Sequence, residues 1–273
     1  MFGLWAAVAM AVPTAKWEAG VTHTYEFGTV LQTPMPMKIG GGRSAAVRIP
    51  SVQMKGELAC KGETELPKGR GWTVRCAIDK PTVEVTTVAQ DEKFKDSAVT
   101  TMIDILERGA ISFDAAPTGR LTKVRFEGDL AAEADEDTVD LLVKAVKMIV
   151  APLDWTLPAI DGTATWPHKS FIAADFPMSD DVNALASTKI EVGHGEGTET
   201  HDVYTMTGRG SIGLEQAGGA QVEIKGTSAW DKARGIVTEG STLLSTTALT
   251  GAIANASPFV VESRIRLKPP ATP

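Results

Sequence analysis

The chain has 273 residues, of which 43% are hydrophobic, and this is enough to bury the core of one large β domain or of two smaller ones. The formal net charge is −7, with 22% charged residues. Because nucleic acids and anionic lipid surfaces are bound by clustered Lys and Arg, this charge argues against nucleic acid as a main partner and against an electrostatic attachment to membranes.

The chain begins with an apolar segment. Residues Phe2 to Val12 carry no charge, and Lys16 is the first charged side chain. A run of this length is too short to span a bilayer but suits the apolar core of a secretory signal, with A-x-A-like cleavage sites near Ala11 and Ala15. We therefore expect residues 1–15 to be a signal peptide and the mature chain to have no transmembrane segment. The usual Lys or Arg before the apolar core is missing, and the alternative is a buried N-terminal strand or helix.

The clearest pattern is an alternation of apolar and polar residues on either side of a turn. The apolar positions are Val52, Met54, Leu58 and Cys60 before the turn, and Trp72, Val74, Cys76 and Ile78 after it. A period of two with one polar face predicts an antiparallel hairpin. Its loop is expected at Pro67–Gly69, because a three-residue hairpin loop requires glycine at its last position. The resulting register pairs Cys60 with Cys76, Leu58 with Ile78 and Thr64 with Trp72.

Cys60 and Cys76 are the only cysteines of the chain. The predicted register places them opposite each other, so we expect a disulfide, which persists only in an oxidising compartment. Closing a loop of this size contributes about 3 kcal/mol to stability in the chain-entropy model. The alternative is a pair of buried free thiols. The disulfide and the apolar N-terminus together predict a periplasmic or secreted protein.

Further strands are expected where short runs rich in Val, Thr and Ile are bounded by turn residues. They are Thr82–Val88, Ile111–Phe113, Val124–Glu127, Lys189–Val192, Val203–Thr207, Gln221–Lys225, Gly235–Leu244 and Val260–Leu267. A turn is expected at Ala115–Gly119, and a break follows Lys225. These elements predict an α+β fold dominated by antiparallel sheet, in the form of a curved sheet or half-barrel.

Two amphipathic helices are predicted between the strands. The first covers Ser97–Arg108, with Gly109 at the position of a C-terminal glycine cap. The second covers Asp137–Val150, with acidic residues at its start and Pro152 beyond its end. Their apolar stripes are formed by Val99, Met102, Ile103 and Leu106, and by Val139, Leu142, Val143, Val146 and Ile149. We expect both stripes to pack on the concave face of the sheet.

The chain between the helices and the later strands has a different composition. Ala151–Ser179 is rich in proline and has few periodic runs, which indicates a connection. We interpret it as the link between two β-rich halves, at residues 16–158 and 159–268. The residues that remain, 269–273, are expected to form a disordered tail after the prolines that end the last strand.

No recognisable catalytic motif is present, and no cofactor is implied. Gly208–Gly213 matches G-x-G-x-x-G, but a strand rather than a helix follows it. The best polar cluster contains His194, Glu196, His201 and Asp202, which would bind zinc or a similar ion if the loop folded back on itself. Alternating glycines and the absence of H-E-x-x-H favour a solvated hairpin tip instead.

The layout resembles bacterial exported β-proteins in which a curved sheet wraps around helices, such as lipoprotein-carrier and lipoprotein-like domains. The segment from Ile111 to Val124, with its turn at Thr118-Gly119-Arg120, followed by a helix and then Leu157-Pro158, also resembles the N-terminal β-barrel region of large lipid-transfer proteins such as vitellogenin. The resemblance covers Thr24 to Pro158. It implies binding of lipid and carries over no functional residue.

We therefore expect a non-catalytic extracytoplasmic protein that binds or carries a lipid or another apolar small molecule. A curved sheet closed by a helix forms an apolar groove, and the expected lining includes Met54, Trp72, Ile78 and Phe126. One alternative is a structural or envelope-interaction protein whose sheet packs solid. A second is a metal-dependent hydrolase that uses the cluster around His194 and His201.

Overall fold

A computed structural model describes residues 14–32, 51–86, 92–129, 143, 145–155, 157, 164–166, 189–214, 218–249 and 260–269. Residues 1–13 and 270–273 lie outside the described residues, and with them almost all of the predicted signal peptide and tail. Residues 137–142 and 144 of the second predicted helix also lie outside the described residues. So do Thr87 and Val88, at the end of a predicted strand.

The described residues form one antiparallel sheet of eleven strands. In chain order the strands are β1 (Thr22–Gln32), β2 (Ser51–Glu65), β3 (Trp72–Thr86), β4 (Ala110–Ala115), β5 (Leu121–Glu127), β6 (Ala164–Trp166), β7 (Lys189–His194), β8 (His201–Leu214), β9 (Gly218–Asp231), β10 (Ile236–Leu249) and β11 (Val260–Leu267). Their order across the sheet is β5-β4-β3-β2-β1-β11-β10-β9-β8-β7-β6. The prediction of a mainly antiparallel fold is thus confirmed, and the strands of both predicted halves belong to one continuous sheet.

The β2–β3 hairpin has the predicted register at its centre. Cys60 pairs with Cys76 and Leu58 with Ile78, and the two cysteines form a disulfide. The register predicted at the turn is wrong: Trp72 pairs with Glu65, and Thr64 pairs with Thr73, because a bulge occurs between Gly62 and Thr64.

The turn itself is longer than predicted. It is closed by a 2.8 Å hydrogen bond from the Leu66 N–H to the Gly71 carbonyl, and Pro67–Gly69 form a single 3₁₀ turn. Lys68, Gly69 and Gly71 all have positive φ. A turn that uses three left-handed residues needs more chain than a three-residue loop, and the bulge in β2 restores the pairing of the strands.

The other predicted strands are found, with several corrections. The predicted strand Thr82–Val88 is not separate, because β3 continues without interruption to Thr86. No break follows Lys225: β9 continues through Gly226 to Asp231, because Gly226 stays in register with both of its neighbours, and the turn lies at residues 232–235. A short strand that was not predicted, β6, lies within the predicted connection Ala151–Ser179 and pairs with β7. The prediction also lacked β1. It lies in the middle of the sheet, paired with β2 on one side and with β11 on the other.

The sheet is strongly curved. β4 and β9 are six strand-to-strand steps apart, which would place them roughly 29 Å from each other in a flat sheet. Instead, the indole of Trp230 in β9 lies 3.1 Å from the position that a Cβ would take on Gly119, in the turn after β4. The segment before β1 connects the β4–β5 turn with the β9–β10 turn. The Ala15 N–H donates to the Pro117 carbonyl, and the Lys16 N–H donates to the Gly235 carbonyl.

One helix, α1 (Glu92–Arg108), lies between β3 and β4 and begins earlier than the predicted Ser97. Leu106 is buried, and Val99, Met102 and Ile103 pack against the hydrophobic core. The predicted glycine cap is wrong in its mechanism, because Gly109 does not have a positive φ. Glycine is needed there for another reason: the Phe126 ring occupies the space that a Gly109 side chain would take.

A second helix, α2, is described at residues 145–150 and ends in a 3₁₀ turn at Ala151–Leu153. Val146 and Ile149 are fully buried, as predicted for its apolar stripe, and Val150 is fully buried beside them. Within the described helices, none combines the length and the apolarity that crossing a membrane requires.

Candidate ligand-binding interior

The inner face of the sheet is the face toward which its buried side chains point. On β2 to β5 this face is apolar, because alternation along each strand places aliphatic and aromatic residues inward. The buried residues of this apolar half include Met54, Leu58, Val74, Ile78, Ile111, Phe113 and Phe126.

The four predicted lining residues all belong to this apolar half. Met54, Ile78 and Phe126 are buried, and Trp72 is partly buried and packs against the core. They lie on three strands, β2, β3 and β5, and at different heights along them. They therefore share one face of the sheet without forming a single cluster.

The inner face of β1, β11, β10, β9 and β8 has a different composition. One row across these strands consists of Thr29, Ser263, Thr242, Gly226 and Met206. The neighbouring row consists of Phe27, Ile265, Gly240, Ser228 and Tyr204. We call these two rows the hydroxyl patch, because hydroxyl residues and glycines replace most of the aliphatic side chains found on β2 to β5.

A short stretch of chain covers the hydroxyl patch. We call residues 151–155 and 157 the inner segment. Its Pro152 carbonyl oxygen lies 2.6 Å from the position that a Cβ would take on Gly240, and the Trp155 ring lies 3.4 Å from the corresponding position on Gly226. Trp155 is fully buried and donates its indole N–H to the Pro152 carbonyl at 2.9 Å. The two glycines are thus what allows the segment to lie directly on the sheet.

The inner segment is attached to the β4–β5 turn by hydrogen bonds. The Trp155 N–H donates to the Gly119 carbonyl at 3.2 Å, and the Leu157 N–H donates to the Thr118 carbonyl at 2.8 Å. The Asp154 carboxylate accepts a 2.7 Å hydrogen bond from the Leu121 N–H, and its Oδ1 lies 3.9 Å from Nε of Arg120.

Asp154 is the main buried acid of this region. Its side chain is fully buried, and this burial raises its pKa to about 7, although the Arg120 guanidinium and the Leu121 hydrogen bond act in the opposite direction. The carboxyl group is therefore protonated below neutral pH and charged above it.

The interior is well filled where the inner segment meets the β4–β5 turn and the β9–β10 turn. A cavity of about 10 Å³ remains there, lined by residues that include Leu153, Tyr25 and Trp230. This is no larger than the space that one water molecule requires. Burial also raises the pKa of the Tyr25 hydroxyl and lowers the pKa of His23, so both groups are neutral near physiological pH.

A larger open groove of about 740 Å³ lies on the outer face, opposite the hydroxyl patch. Its floor is one row across the sheet, formed by Gly28, Arg264, Ser241, Thr227 and Thr205. Acidic and basic side chains alternate around it: Glu26, Glu239 and Glu262 with Lys225, Arg264 and Arg266. These charges balance, so the groove has no net preference for an anion or a cation.

The predicted metal cluster is not brought together. His194 contacts the ring of Tyr204, His201 contacts the Thr200 hydroxyl through Nδ1 at 2.9 Å, and Asp202 pairs with Lys232 at 3.4 Å. Glu196 lies in the exposed loop between β7 and β8. In the part of the chain that the structure describes, no three His, Cys, Asp or Glu side chains are grouped so that they could hold a metal ion.

Comparison with protein-family models and with curated proteins gives no match to this chain.

Sequence reasoning missed the hydroxyl patch and Asp154. The signal for the patch was present: in β1 the inward positions are His23, Tyr25, Phe27 and Thr29, and in β11 Ser263 takes an inward position beside Ile265. A small hydroxyl residue at an inward position of an alternating strand is a detectable exception. Asp154 had no such signal, because it lies in a Pro-containing stretch whose burial depends on the curvature of the sheet.

Proposed function

We propose that the protein is a non-catalytic, extracytoplasmic protein that binds or carries a lipid, with its ligand on the inner face of the curved sheet. In this proposal α1 and α2 lie across the concave face, and the lipid chains contact the apolar half that includes Met54, Trp72, Ile78 and Phe126. The Cys60–Cys76 disulfide supports a periplasmic or secreted location, because such bonds persist in oxidising compartments.

The observation that carries this proposal is the nature of the cover on the concave face. The hydroxyl patch is covered by a separate chain segment that rests on Gly240 and Gly226, and not by a second sheet. Its hydrogen bonds from Trp155 and Leu157 go to the β4–β5 turn and are not part of any strand ladder. The inner segment can therefore move off the sheet without breaking strand pairing, which would uncover the hydroxyl patch beside the apolar half of the inner face.

A second candidate function is a structural protein with a permanently filled core. The complete burial of Trp155 and the small size of the cavity beside Leu153 favour it. The two functions differ in one property: a carrier must exchange the inner segment for a ligand, whereas a structural protein keeps it in place.

The test is lipid analysis of the purified protein. An organic extract of the exported protein, measured by mass spectrometry, should contain lipid in near-stoichiometric amount. Gly240→Ala places a methyl group against the Pro152 carbonyl and should push the inner segment outward, so the variant should take up lipid from phosphatidylcholine vesicles faster than the wild type.

Gly28→Ala is the matched control. Gly28 lies on the outer face of β1, and the nearest atom to its Cβ position is 4.0 Å away. This variant should behave like the wild type. Empty extracts from both the wild type and Gly240→Ala, together with no uptake from vesicles, would reject the carrier function and leave the structural one.

A further inference from the structure

The hydroxyl patch contains buried polar atoms without hydrogen-bond partners. The oxygens concerned are Thr29 Oγ1, Ser263 Oγ, Ser228 Oγ and Tyr204 Oη. Each of the four side chains is at most 1% exposed. Buried hydroxyl groups in folded proteins almost always have a partner, so four unpartnered groups on one patch require an explanation.

Strand register shows that these groups are neighbours. Thr29 and Ser263 are directly paired between β1 and β11, and Ser228 and Tyr204 are directly paired between β9 and β8. Between the two pairs lie Thr242 and Gly240 on β10. The unpartnered oxygens therefore belong to two adjacent rows on the inner face, on the strands around Gly240 and Gly226, which the inner segment contacts.

The covering segment does not satisfy them. The Pro152 carbonyl, which lies closest to Gly240, accepts its hydrogen bond from the Trp155 indole within the inner segment itself. Val146, Ile149 and Val150, which precede the inner segment in the chain, are fully buried and have only aliphatic side chains. An apolar side chain at Thr29 or Ser263 would suit this cover better, because a buried hydroxyl without a partner is destabilising.

The chemistry of the patch restricts what it could bind. Each hydroxyl can donate one hydrogen bond and accept others, and no Lys, Arg, Asp or Glu belongs to either row. An ionised head group would be costly to bury there without a countercharge. Ester carbonyls and hydroxyls of a neutral lipid match the patch, while the acyl chains match the adjoining apolar half.

We propose that the hydroxyl patch is the binding site for the uncharged polar group of a neutral acylglycerol-type lipid, with Thr29 and Ser263 as its principal hydrogen-bond donors. This inference rests on the proposed lipid-binding function and specifies the ligand class. The ligand replaces the inner segment on the patch, so that the hydroxyls gain partners only in the bound state.

The test compares Thr29→Val/Ser263→Ala with the outer-face control Thr227→Val/Ser241→Ala. The control removes the same two residue types from adjacent strands, where their hydroxyls hydrogen-bond to each other at 2.9 Å and face solvent. Binding is measured by fluorescence with three probes that carry the same pyrene chain: a pyrene-labelled diacylglycerol, a pyrenyl alkane and a pyrene-labelled fatty acid.

The wild type should bind the diacylglycerol more tightly than the alkane or the fatty acid. Each lost hydroxyl should weaken diacylglycerol binding about fivefold, the typical effect of one neutral hydrogen bond, and leave alkane binding unchanged. The unliganded inner-face variant should melt at the same temperature as the wild type or higher, because it loses two unpartnered buried hydroxyls. The outer-face control should bind all probes like the wild type.

The possible failures are distinguishable. If the wild type binds the alkane and the diacylglycerol equally, or if the inner-face variant retains full diacylglycerol affinity, the hydroxyl patch is not the polar subsite and lipid binding itself stands. Preferential binding of the fatty acid would overturn the neutral ligand class. A wild type that binds none of the three probes would overturn the lipid-binding function and this inference together.

Discussion

The ionisation of Asp154 links the stability of the protein to pH. Its pKa is about 7 in the folded protein because it is buried, and near 3.8 in the unfolded chain. Between these values the folded state holds a proton that the unfolded state has released, so stability falls as pH rises through this window. The full difference amounts to on the order of 4 kcal/mol.

Asp154→Asn should therefore flatten the pH dependence of unfolding. The amide keeps an acceptor for the Leu121 N–H but cannot ionise. Urea unfolding at a series of pH values from 4 to 8 should show a falling free energy of unfolding for the wild type and a smaller fall for the variant. His23, whose pKa is lowered by burial, contributes in the opposite direction below pH 6.5, and this contribution is common to both proteins.

Asp114 provides a control carboxyl group. Burial acts to raise its pKa, but hydrogen bonds from Lys123 and Thr73 outweigh this and hold the pKa below its usual value. Asp114→Asn should therefore leave the slope between pH 4 and pH 7 unchanged. If Asp154→Asn retained the wild-type slope, the buried carboxyl would not be the titrating group.

At the level of the β2–β3 hairpin, the disulfide is expected to be a main source of stability. It joins residues 16 positions apart in the chain, and both cysteines are fully buried. Cys60→Ala/Cys76→Ala should lower the free energy of unfolding by about 3 kcal/mol, since the unfolded chain regains the freedom of an open loop. Urea unfolding measures this loss.

Wild-type protein that is unfolded and refolded in the presence of a thiol reductant is the control for packing effects in the variant. It should lose a similar amount of stability. If the reduced wild type were as stable as the oxidised protein, the loss in the alanine variant would come from the removed sulfur atoms and not from the crosslink.

For the whole molecule, the positions of β1 and β11 predict that the chain tolerates rearrangement. The Lys268 N–H donates to the Thr24 carbonyl at 2.8 Å, so the start of β1 and the end of β11 are adjacent. A permuted chain should therefore fold, if a short glycine-rich linker joins residue 269 to residue 14 and new ends are opened between Gly197 and Thr198.

The new ends lie in the exposed loop between β7 and β8, which is a tolerant site for chain opening. Circular dichroism and the melting temperature should be close to those of the wild type. A second permutant opened between Lys225 and Gly226, in the interior of β9, is the matched control and should fail to fold, because it divides a strand that is paired on both sides. Equal behaviour of the two permutants would contradict the observed topology.

How far the sequence predicts this molecule depends on the range of each interaction. The pairing of Cys60 with Cys76 was predictable because alternation, turn and cysteines lie within one short segment. The inward position of Met54 and Ile78 followed from the same alternation. The place of β1 was not predictable in this way, because one of its partners, β11, lies at the other end of the chain. The burial of Asp154 and Trp155 depends on the bending of the whole sheet, which no local pattern encodes.

The pairing of β1 with β11 has a consequence for the order in which the protein can fold. Tyr25 is paired with Leu267, so β1 waits for one of its two neighbours until β11, far along the chain, has been synthesised. Pairings between such distant residues form slowly. The sheet is therefore expected to be completed across β1 and β11 only after local hairpins such as β2–β3 have formed.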